Sequence, residues 1–213
     1  MRISDDELLL YAVTDGRWAK EKTLLEQIEE ALKGGVTLVQ LREKELDYDE
    51  FLEEAKKAAV LCHSYNVKLI INDNIDVALK SGADGVHVGQ SDMPAKEVRK
   101  IAGDKLIIGT SAKTVEAARK AEQDGADYLG VGACFGTSTK DDAGRIDLNV
   151  LNELSQAVDI PVVGIGGINK DNMKELRGRG IKGVALVSSI FAAEDITKEC
   201  IGLKKIAHDV VFC

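Results

Sequence analysis

Three polar residues at alternate positions, Gln40, Arg42 and Lys44, have the types and spacing to bind an anion. Side chains alternate between the two faces of a strand, so these three share one face while the apolar residues of the same strand share the other. We expect the apolar face to contact helices and the polar face to line the mouth of the fold. A buried cation without a counter-charge is costly, so this face predicts an anionic ligand. The alternative is an internal salt bridge with Glu43 or Glu45.

Two aspartates, Asp73 and Asp92, follow the next two predicted strands. Mg²⁺ is typically held by one or two carboxylates together with phosphate oxygens and water, so the pair predicts one magnesium ion per active site. Zinc or iron sites favour imidazole ligands, and His87 is the only histidine in this region. The alternative is that these strand-end residues cap the helices that follow, as Asp, Asn and Ser commonly do, with Ser91 or Asp92 capping the later helix.

Hydroxyl residues follow the fifth and sixth predicted strands. Thr114 is suited to cap the next helix, which leaves Ser111 to donate a hydrogen bond to a ligand. Thr137, Ser138, Thr139 and Lys140 come after the sixth strand and form a candidate oxyanion cradle. A solvated loop has the same composition, so the two interpretations of this segment stay open.

Glycines and serines follow the last two predicted strands. The run Gly164-Ile165-Gly166-Gly167-Ile168-Asn169 allows backbone amides to approach a ligand closely, because glycine has no side chain to obstruct them. The run Val187-Ser188-Ser189-Ile190 begins a short helix. In a β/α barrel the loops after strands 7 and 8 frequently bind phosphate. The alternative is that the glycines only end strand 7.

Short apolar runs alternate with amphipathic stretches along the whole chain. The predicted strands are Leu9–Thr14, Val36–Arg42, Val67–Asn72, Gly85–Gly89, Leu106–Gly109, Tyr128–Gly132, Pro161–Ile165 and Gly183–Val187. The predicted helices include Leu24–Lys33, Phe51–Ser64, Val115–Asp124 and Asp171–Arg179. Strand followed by helix, repeated, indicates parallel pairing with right-handed crossovers.

Four related segments each close a helix and open a strand, and they contain Gly34-Gly35, Gly82-Ala83, Gly125-Ala126 and Gly180-Ile181. This weak repeat and the number of strands predict an α/β fold, a parallel (β/α)8 TIM barrel that forms a single domain over residues 1–213. An open doubly wound sheet is the alternative, but no G-x-G-x-x-G motif follows the first strand.

Composition restricts the partners. The formal net charge is −8 and the sequence pI about 5.0, and binding to nucleic acid or an anionic membrane needs a basic surface. The four cysteines form no CxxC pair, and no apolar run approaches the about 20 residues that span a bilayer. We therefore expect a cytoplasmic protein with small phosphorylated ligands, no nucleic-acid partner and no membrane contact. The sequence leaves open whether it forms a homo-oligomer.

With these residues in order, the chain resembles the thiamine phosphate synthase family across essentially its whole length. The segments that carry the resemblance are Tyr11-Ala12-Val13-Thr14-Asp15, Gln40-Leu41-Arg42-Glu43-Lys44, Asn72-Asp73-Asn74, Gly85-Val86-His87-Val88-Gly89-Gln90-Ser91-Asp92, Gly109-Thr110-Ser111, Thr137-Ser138-Thr139-Lys140, Gly164-Ile165-Gly166-Gly167-Ile168 and Val187-Ser188-Ser189-Ile190. Each segment alone is weak evidence for the family, but the occurrence of all of them in this order is highly specific for it. The chain departs from the family in Gly132-Ala133-Cys134-Phe135-Gly136, where prolines usually stand beside the phenylalanine.

The resemblance implies an enzyme that joins hydroxymethylpyrimidine diphosphate to a thiazole phosphate and releases diphosphate. It implies that the pyrimidine diphosphate is held by Gln40, Leu41, Arg42, Glu43, Lys44, Asn72, Ser111 and Lys140. It implies a thiazole phosphate site at Thr137, Ser138, Thr139, Gly167, Val187 and Ser188, with Mg²⁺ on Asp73 and Asp92. Lys140, Arg42 and Ser111 would be the catalytic residues.

The chemistry inferred from the residues agrees with this activity. Breaking a carbon–diphosphate bond places negative charge on the departing oxygens, which Mg²⁺, Arg and Lys stabilise. The thiazole nitrogen is already a nucleophile, so no general base is required and no catalytic histidine is expected. Three alternatives remain: a related thiazole tautomerase, a non-enzymatic phosphate-binding barrel, and a Schiff-base aldolase that uses Lys44 or Lys140.

Overall fold

The computed structural model describes residues 3–19, 21–136 and 146–212. Its strands are β1 Leu10–Val13, β2 Leu38–Leu41, β3 Lys68–Asn72, β4 Gly85–Val88, β5 Ile107–Ala112, β6 Tyr128–Val131, β7 Val162–Ile165 and β8 Gly183–Leu186. Its α-helices are α1 Asp5–Leu8, α2 Leu24–Lys33, α3 Tyr48–Ser64, α4 Ile75–Ser81, α5 Ala95–Ala102, α6 Val115–Gln123, α7 Leu148–Gln156, α8 Ser188–Phe191 and α9 Ile196–Val211. Short 3₁₀ turns lie at Gly16–Trp18 and Met173–Leu176.

The strands close into a barrel in chain order. Each strand pairs in parallel with the next, and β1 pairs with β8. Every strand is short, rich in branched apolar residues and separated from the next by helical or turn structure, the pattern of a sheet covered on its outer face. The predicted parallel (β/α)8 barrel is confirmed, and each predicted strand overlaps an observed one.

Alternation along the strands separates an inner core from an outer core. Inside the barrel, Tyr11, Leu38, Ile107 and Tyr128 pack together, each at most 2 % exposed. Leu8 of α1 belongs to the same cluster, so this helix covers the end of the barrel from which the strands begin. The opposite end, where the strands finish, is therefore the end at which a ligand can enter.

The internal repeat has a structural counterpart in backbone hydrogen bonds. Thr37, Asp84 and Asp127 stand at equivalent positions just before β2, β4 and β6. Each side chain accepts the backbone N–H of a neighbouring strand, at 2.9 Å from Leu10 to Thr37, 2.8 Å from Leu69 to Asp84 and 2.8 Å from Ile108 to Asp127. The repeat thus satisfies strand donors that would otherwise lie buried at the start of the barrel.

One predicted helix is wrong. The stretch Asp171–Arg179 forms only the 3₁₀ turn Met173–Leu176. Asn169 and Asn172 bond to nearby backbone groups, including Asn172 Nδ2 to the carbonyl of Gly167 at 2.9 Å, and such bonds compete with helix formation. Gly178 and Gly180 also have positive φ, which ends any helical run. No helix of the described ranges is both long and apolar enough to cross a membrane.

Candidate active site

A cavity of about 330 Å³ opens at the carboxyl ends of the strands, the end at which β/α barrels carry their active sites. Its lining brings together nine of the residues predicted from the sequence: Gln40, Arg42, Asn72, Asp73, Asp92, Ser111, Gly167, Val187 and Ser188. The cavity is within the size range of small-molecule sites. Residues that are distant in the chain therefore meet at one place, as the strand-end positions predict.

Arg42 is held by the segment that follows β1. Its guanidinium Nη1 lies 3.5 Å from Oδ2 of Asp15, and the two side chains are only 11 % and 5 % exposed. Thr14 Oγ1 accepts the backbone N–H of Arg42 at 2.9 Å and donates to its carbonyl at 3.3 Å. Hydrogen bonds from Arg17, with a smaller contribution from the charge of Arg42, lower the pKa of the Asp15 carboxyl. The salt bridge proposed with Glu43 or Glu45 is thus replaced by one with Asp15.

The remaining predicted residues of this segment do not line the cavity. Leu41 packs in the outer core, and Glu43 Oε1 accepts the backbone N–H of Lys44 and of Glu45. Lys44 lies beyond the end of β2 at Leu41 and its side chain is exposed, so its place at the barrel mouth stays a prediction. Alternation of faces holds only while the chain remains a strand.

Neither aspartate of the predicted metal site caps a helix. Asn74 caps α4 by accepting the N–H of Val77 at 3.0 Å, and Pro94 occupies the N-cap position of α5 without a side-chain bond. The capping alternatives for Ser91 and Asp92 are therefore wrong. Asp92 Oδ2 instead accepts the N–H of Gly89 at 2.8 Å, which folds the carboxylate back over the end of β4.

Asp73 and Asp92 line the same cavity as Arg42. Asp73 adopts a positive φ of 63°, a left-handed conformation uncommon for a residue with a side chain, and accepts a hydrogen bond from the amide of Asn72. In the described part of the chain, no group of three or more His, Cys, Asp or Glu side chains could share a metal ion. Two carboxylates that line one cavity fit the ligand chemistry of magnesium, which takes its other ligands from phosphate and water.

The barrel interior holds a polar chain that sequence reasoning missed. Gln40 Nε2 lies 2.6 Å from Tyr11 Oη, which lies 2.8 Å from Tyr128 Oη. Tyr128 Oη lies 3.1 Å from Nδ1 of His87, and His87 Nε2 lies 3.0 Å from Oγ of Ser111. His87 receives no role from the sequence, yet its ring lines the cavity and directly contacts the predicted site residue Ser111.

Two glycines leave space for the Tyr128 and His87 rings of this polar chain. A Cβ on Gly109 of β5 would stand 2.2 Å from the ring of Tyr128 and 2.5 Å from Nδ1 of His87. A Cβ on Gly130 of β6 would stand 3.1 Å from the His87 ring. Glycine at an inward strand position beside a ring-bearing strand is the sequence signal that could have revealed the polar chain.

The glycines after β7 have a packing role in this structure. Gly166 and Gly167 have φ values of 93° and 67°, and a Cβ on Gly167 would stand 2.3 Å from the carbonyl oxygen of Gly136. The backbone N–H groups of Cys134 and Phe135 donate to carbonyls at the end of β7, both at 2.9 Å. Close packing of the loops after β6 and β7 therefore requires these glycines whether or not a ligand binds there.

The loop after β8 completes this side of the cavity. Val187 and Ser188 line it, whereas Ser189 donates its hydroxyl to the carbonyl of Ile168 at 2.6 Å and does not. Lys113, which sequence reasoning also missed, lines the rim with an exposed side chain. The predicted residues Thr137, Ser138, Thr139 and Lys140 lie outside the described residues.

The fold and this cavity define a β/α-barrel enzyme whose strand ends gather cationic, carboxylate and hydroxyl side chains around one opening. The chain belongs to the thiamine monophosphate synthase family, whose model matches residues 10–190.

Relatives of similar length support this assignment. A protein of Clostridium tetani named thiamine-phosphate synthase is 50 % identical over 191 residues, which is 90 % of this chain and 91 % of the relative. A protein of the same name from Methanobrevibacter smithii is 50 % identical over 189 residues, covering 89 % and 90 % of the two chains. The solved structure of thiamine phosphate pyrophosphorylase from Pyrococcus furiosus superposes with a TM-score of 0.90 at 41 % identity, covering 97 % and 98 %.

Proposed function

We propose that this chain joins hydroxymethylpyrimidine diphosphate to a thiazole phosphate and releases diphosphate and thiamine phosphate, with carbon dioxide lost as well when the thiazole is supplied in its carboxylate form. The observation that carries the proposal is the distribution of groups around the cavity. Arg42, Asp73, Asp92 and Ser111 lie on the β2–β5 side, and the loops after β7 and β8 lie on the other. One cavity with two such sides suits two phosphorylated substrates that meet between them.

Arg42 is suited to bind the diphosphate. The guanidinium is only 11 % exposed, so most of its hydration is already lost in the folded protein before a ligand binds. Asp15 at 3.5 Å compensates only part of its charge. As the carbon–oxygen bond breaks, negative charge grows on the departing diphosphate, and a fixed cation stabilises that state more than the ground state. Lys140 supplies a second cation in this proposal, on the strength of the family resemblance alone.

The attacking atom needs no base. The thiazole nitrogen carries a lone pair and loses no proton when it bonds to the pyrimidine methylene carbon, so the electron pair of the broken bond leaves with the diphosphate. Binding both substrates in one cavity then removes most of the entropic cost of their encounter. Val187 and Ser188 are proposed to orient the thiazole phosphate, together with Gly167, Thr137, Ser138 and Thr139.

We assign Asp73 and Asp92 as the residues that hold one Mg²⁺ ion. When bound, the ion would neutralise charge on the diphosphate oxygens as they depart. Asn72 donates to the Asp73 carboxylate and Gly89 to the Asp92 carboxylate, so each side chain is oriented by a neighbouring group before any ligand arrives. Gln40 and Asn72 are proposed to contact the pyrimidine diphosphate.

The test is diphosphate release by the purified protein, with each substrate omitted in turn, after EDTA treatment and after Mg²⁺ is restored. Arg42→Met should lower kcat/KM by about 100-fold, the usual cost of a charge-directed donor. Arg119→Met makes the same change at an arginine of α6 that is exposed and outside the cavity, so its effect should be far smaller. Equal losses in the two variants, or release that ignores the thiazole substrate, would contradict the proposal.

A further inference from the structure

The polar chain inside the barrel connects residues of five strands. It runs from Gln40 on β2 through Tyr11 on β1, Tyr128 on β6 and His87 on β4 to Ser111 on β5. Gln40, Tyr11 and Tyr128 are 4 %, 2 % and 0 % exposed, so their hydrogen bonds form in a low-dielectric interior where an unpaired polar group is costly. The direction in which each bond is donated is therefore strongly constrained.

The two buried phenols fix which atom donates in each hydrogen bond of the polar chain. Burial raises the pKa of both Tyr11 and Tyr128, so each is a neutral phenol with a single proton to donate. The Gln40 amide nitrogen can only donate, and it faces Tyr11 Oη at 2.6 Å. Pairing the buried Tyr11 proton then requires donation to Tyr128, and pairing the Tyr128 proton in turn requires donation to Nδ1 of His87.

This direction decides the tautomer of His87. A neutral imidazole that accepts at Nδ1 carries its proton on Nε2. Nε2 lies 3.0 Å from Oγ of Ser111 and donates to it. The Ser111 hydroxyl thus accepts from His87, and its own proton remains for a further acceptor in the cavity that Ser111 lines.

We propose that Tyr11, Tyr128 and His87 are positioning residues that fix Ser111 as a hydrogen-bond donor to an oxygen of the departing diphosphate. The inference rests on the proposed function, because it takes the diphosphate as the acceptor. In the opposite direction Ser111 would donate to His87 and present a lone pair to an anion, which is repulsive. That arrangement also requires the Gln40 amide oxygen, rather than its nitrogen, to face Tyr11.

A double-mutant cycle tests whether Tyr128 acts through Ser111. Tyr128→Phe deletes one hydroxyl and keeps the ring, and we expect kcat/KM to fall about tenfold, the value of one net hydrogen bond. In a Ser111→Ala background the same change should cost less than about twofold, because the group it positions is gone. Equal fold-losses in both backgrounds would overturn the positioning role.

Controls separate this role from folding. Tyr48→Phe deletes an exposed phenol hydroxyl on α3, away from the cavity, and should leave kcat/KM unchanged. Tyr11→Phe interrupts the chain one bond earlier and should reproduce the Tyr128→Phe result in the Ser111 and Ser111→Ala backgrounds. Thermal unfolding of each variant shows whether it is folded at the assay temperature, and a variant that is unfolded there is replaced by the other phenol variant.

A second readout needs no substrate. Long-range ¹H–¹⁵N correlation spectra report which ring nitrogen of each of the three histidines carries the proton, and His87→Asn assigns the His87 signal by its loss. We expect Nε2–H at His87 in the wild type and loss of that preference in Tyr128→Phe. An Nδ1–H tautomer would overturn the proposed direction. Absence of diphosphate release in the wild type would instead overturn the proposed function and the diphosphate as acceptor, while the tautomer still decides the direction of the chain.

Discussion

The carboxylate of Asp15 lies 3.5 Å from the guanidinium of Arg42, and both side chains are almost completely shielded from solvent. Asp15 begins the 3₁₀ turn after β1, whereas Arg42 follows β2. The pair therefore joins two strand ends that the parallel register of β1 and β2 brings side by side. Thr14 strengthens the junction by bonding both backbone polar groups of Arg42.

Asp15→Asn should weaken the use of the pyrimidine diphosphate while the barrel stays folded. The substitution keeps the shape and removes the charge that orients Arg42, so we expect KM for the diphosphate substrate to rise about tenfold, a loss of ~1.4 kcal/mol. Steady-state kinetics with the other substrate saturating measure it. Asp5→Asn makes the same chemical change at the opposite end of the barrel, where Asp5 pairs with Lys182, and should leave KM as it is. A rise of similar size in both variants would show that Asp15 has no special relation to Arg42.

Asp92→Asn separates a magnesium ligand from a loop-stabilising residue. The amide oxygen can still accept the N–H of Gly89, which Asp92 Oδ2 accepts at 2.8 Å, but the negative charge that attracts Mg²⁺ is lost. We expect the Mg²⁺ concentration for half-maximal rate to rise at least about tenfold, the range seen when a metal site is perturbed. Titrating Mg²⁺ against the rate of diphosphate release gives this value. An unchanged titration curve would remove Asp92 from the metal site.

Ser188→Ala should affect the second substrate selectively. Ser188 lines the cavity at the start of α8, so its loss should raise KM for the thiazole phosphate several-fold, by about one hydrogen bond to a charged group. Ser189→Ala is the matched control, because Ser189 does not line the cavity and its hydroxyl donates to the carbonyl of Ile168. Varying each substrate in turn compares the two KM values. If both rise equally in Ser188→Ala, the loops after β7 and β8 do not form a separate phosphate site.

Lys140→Met tests the second cation of the proposed reaction. An interaction that strengthens as the diphosphate departs lowers kcat and leaves ground-state binding nearly intact, so we expect kcat to fall by about 100- to 1,000-fold. Lys140→Arg should recover only part of the rate, because a planar guanidinium presents its donors differently. Single-turnover release of diphosphate with both substrates saturating isolates this step. A change well below tenfold in every parameter is the outcome for a solvated lysine.

The strand ends could be predicted because two signals can be read from neighbouring residues: the alternation of side chains along a strand and the glycines that bound it. Arg42, Ser111 and Ser188 are predicted in this way, since each lies near the end of a predicted strand or just after it. Alternation does not determine where Lys44 points, because β2 stops at Leu41 and the end of a strand depends on the neighbouring strands to which it bonds.

The polar interior needed three-dimensional information. Alternation places His87 on the same strand face as Gly89, which carries no side chain. The sequence near His87 gives no sign that its ring contacts Tyr128 in the space left by Gly109. The contact of Asp15 with Arg42 likewise depends on the register between two strands. The 3₁₀ turn at Met173–Leu176 escaped prediction because the side chains of Asn169 and Asn172 replace helical backbone bonds.

³¹P NMR of a single reaction mixture tests the central claim most directly, because both substrates and both products carry phosphorus in distinct chemical environments. With pyrimidine diphosphate, thiazole phosphate and Mg²⁺ present, we predict that both substrates disappear while thiamine phosphate and inorganic diphosphate appear in equal amounts. Without either substrate, or after EDTA treatment, the spectrum should not change. Conversion of the thiazole phosphate alone into an isomer would identify a tautomerase, and unchanged spectra with all components present would identify a binding protein; either result would contradict the proposed function.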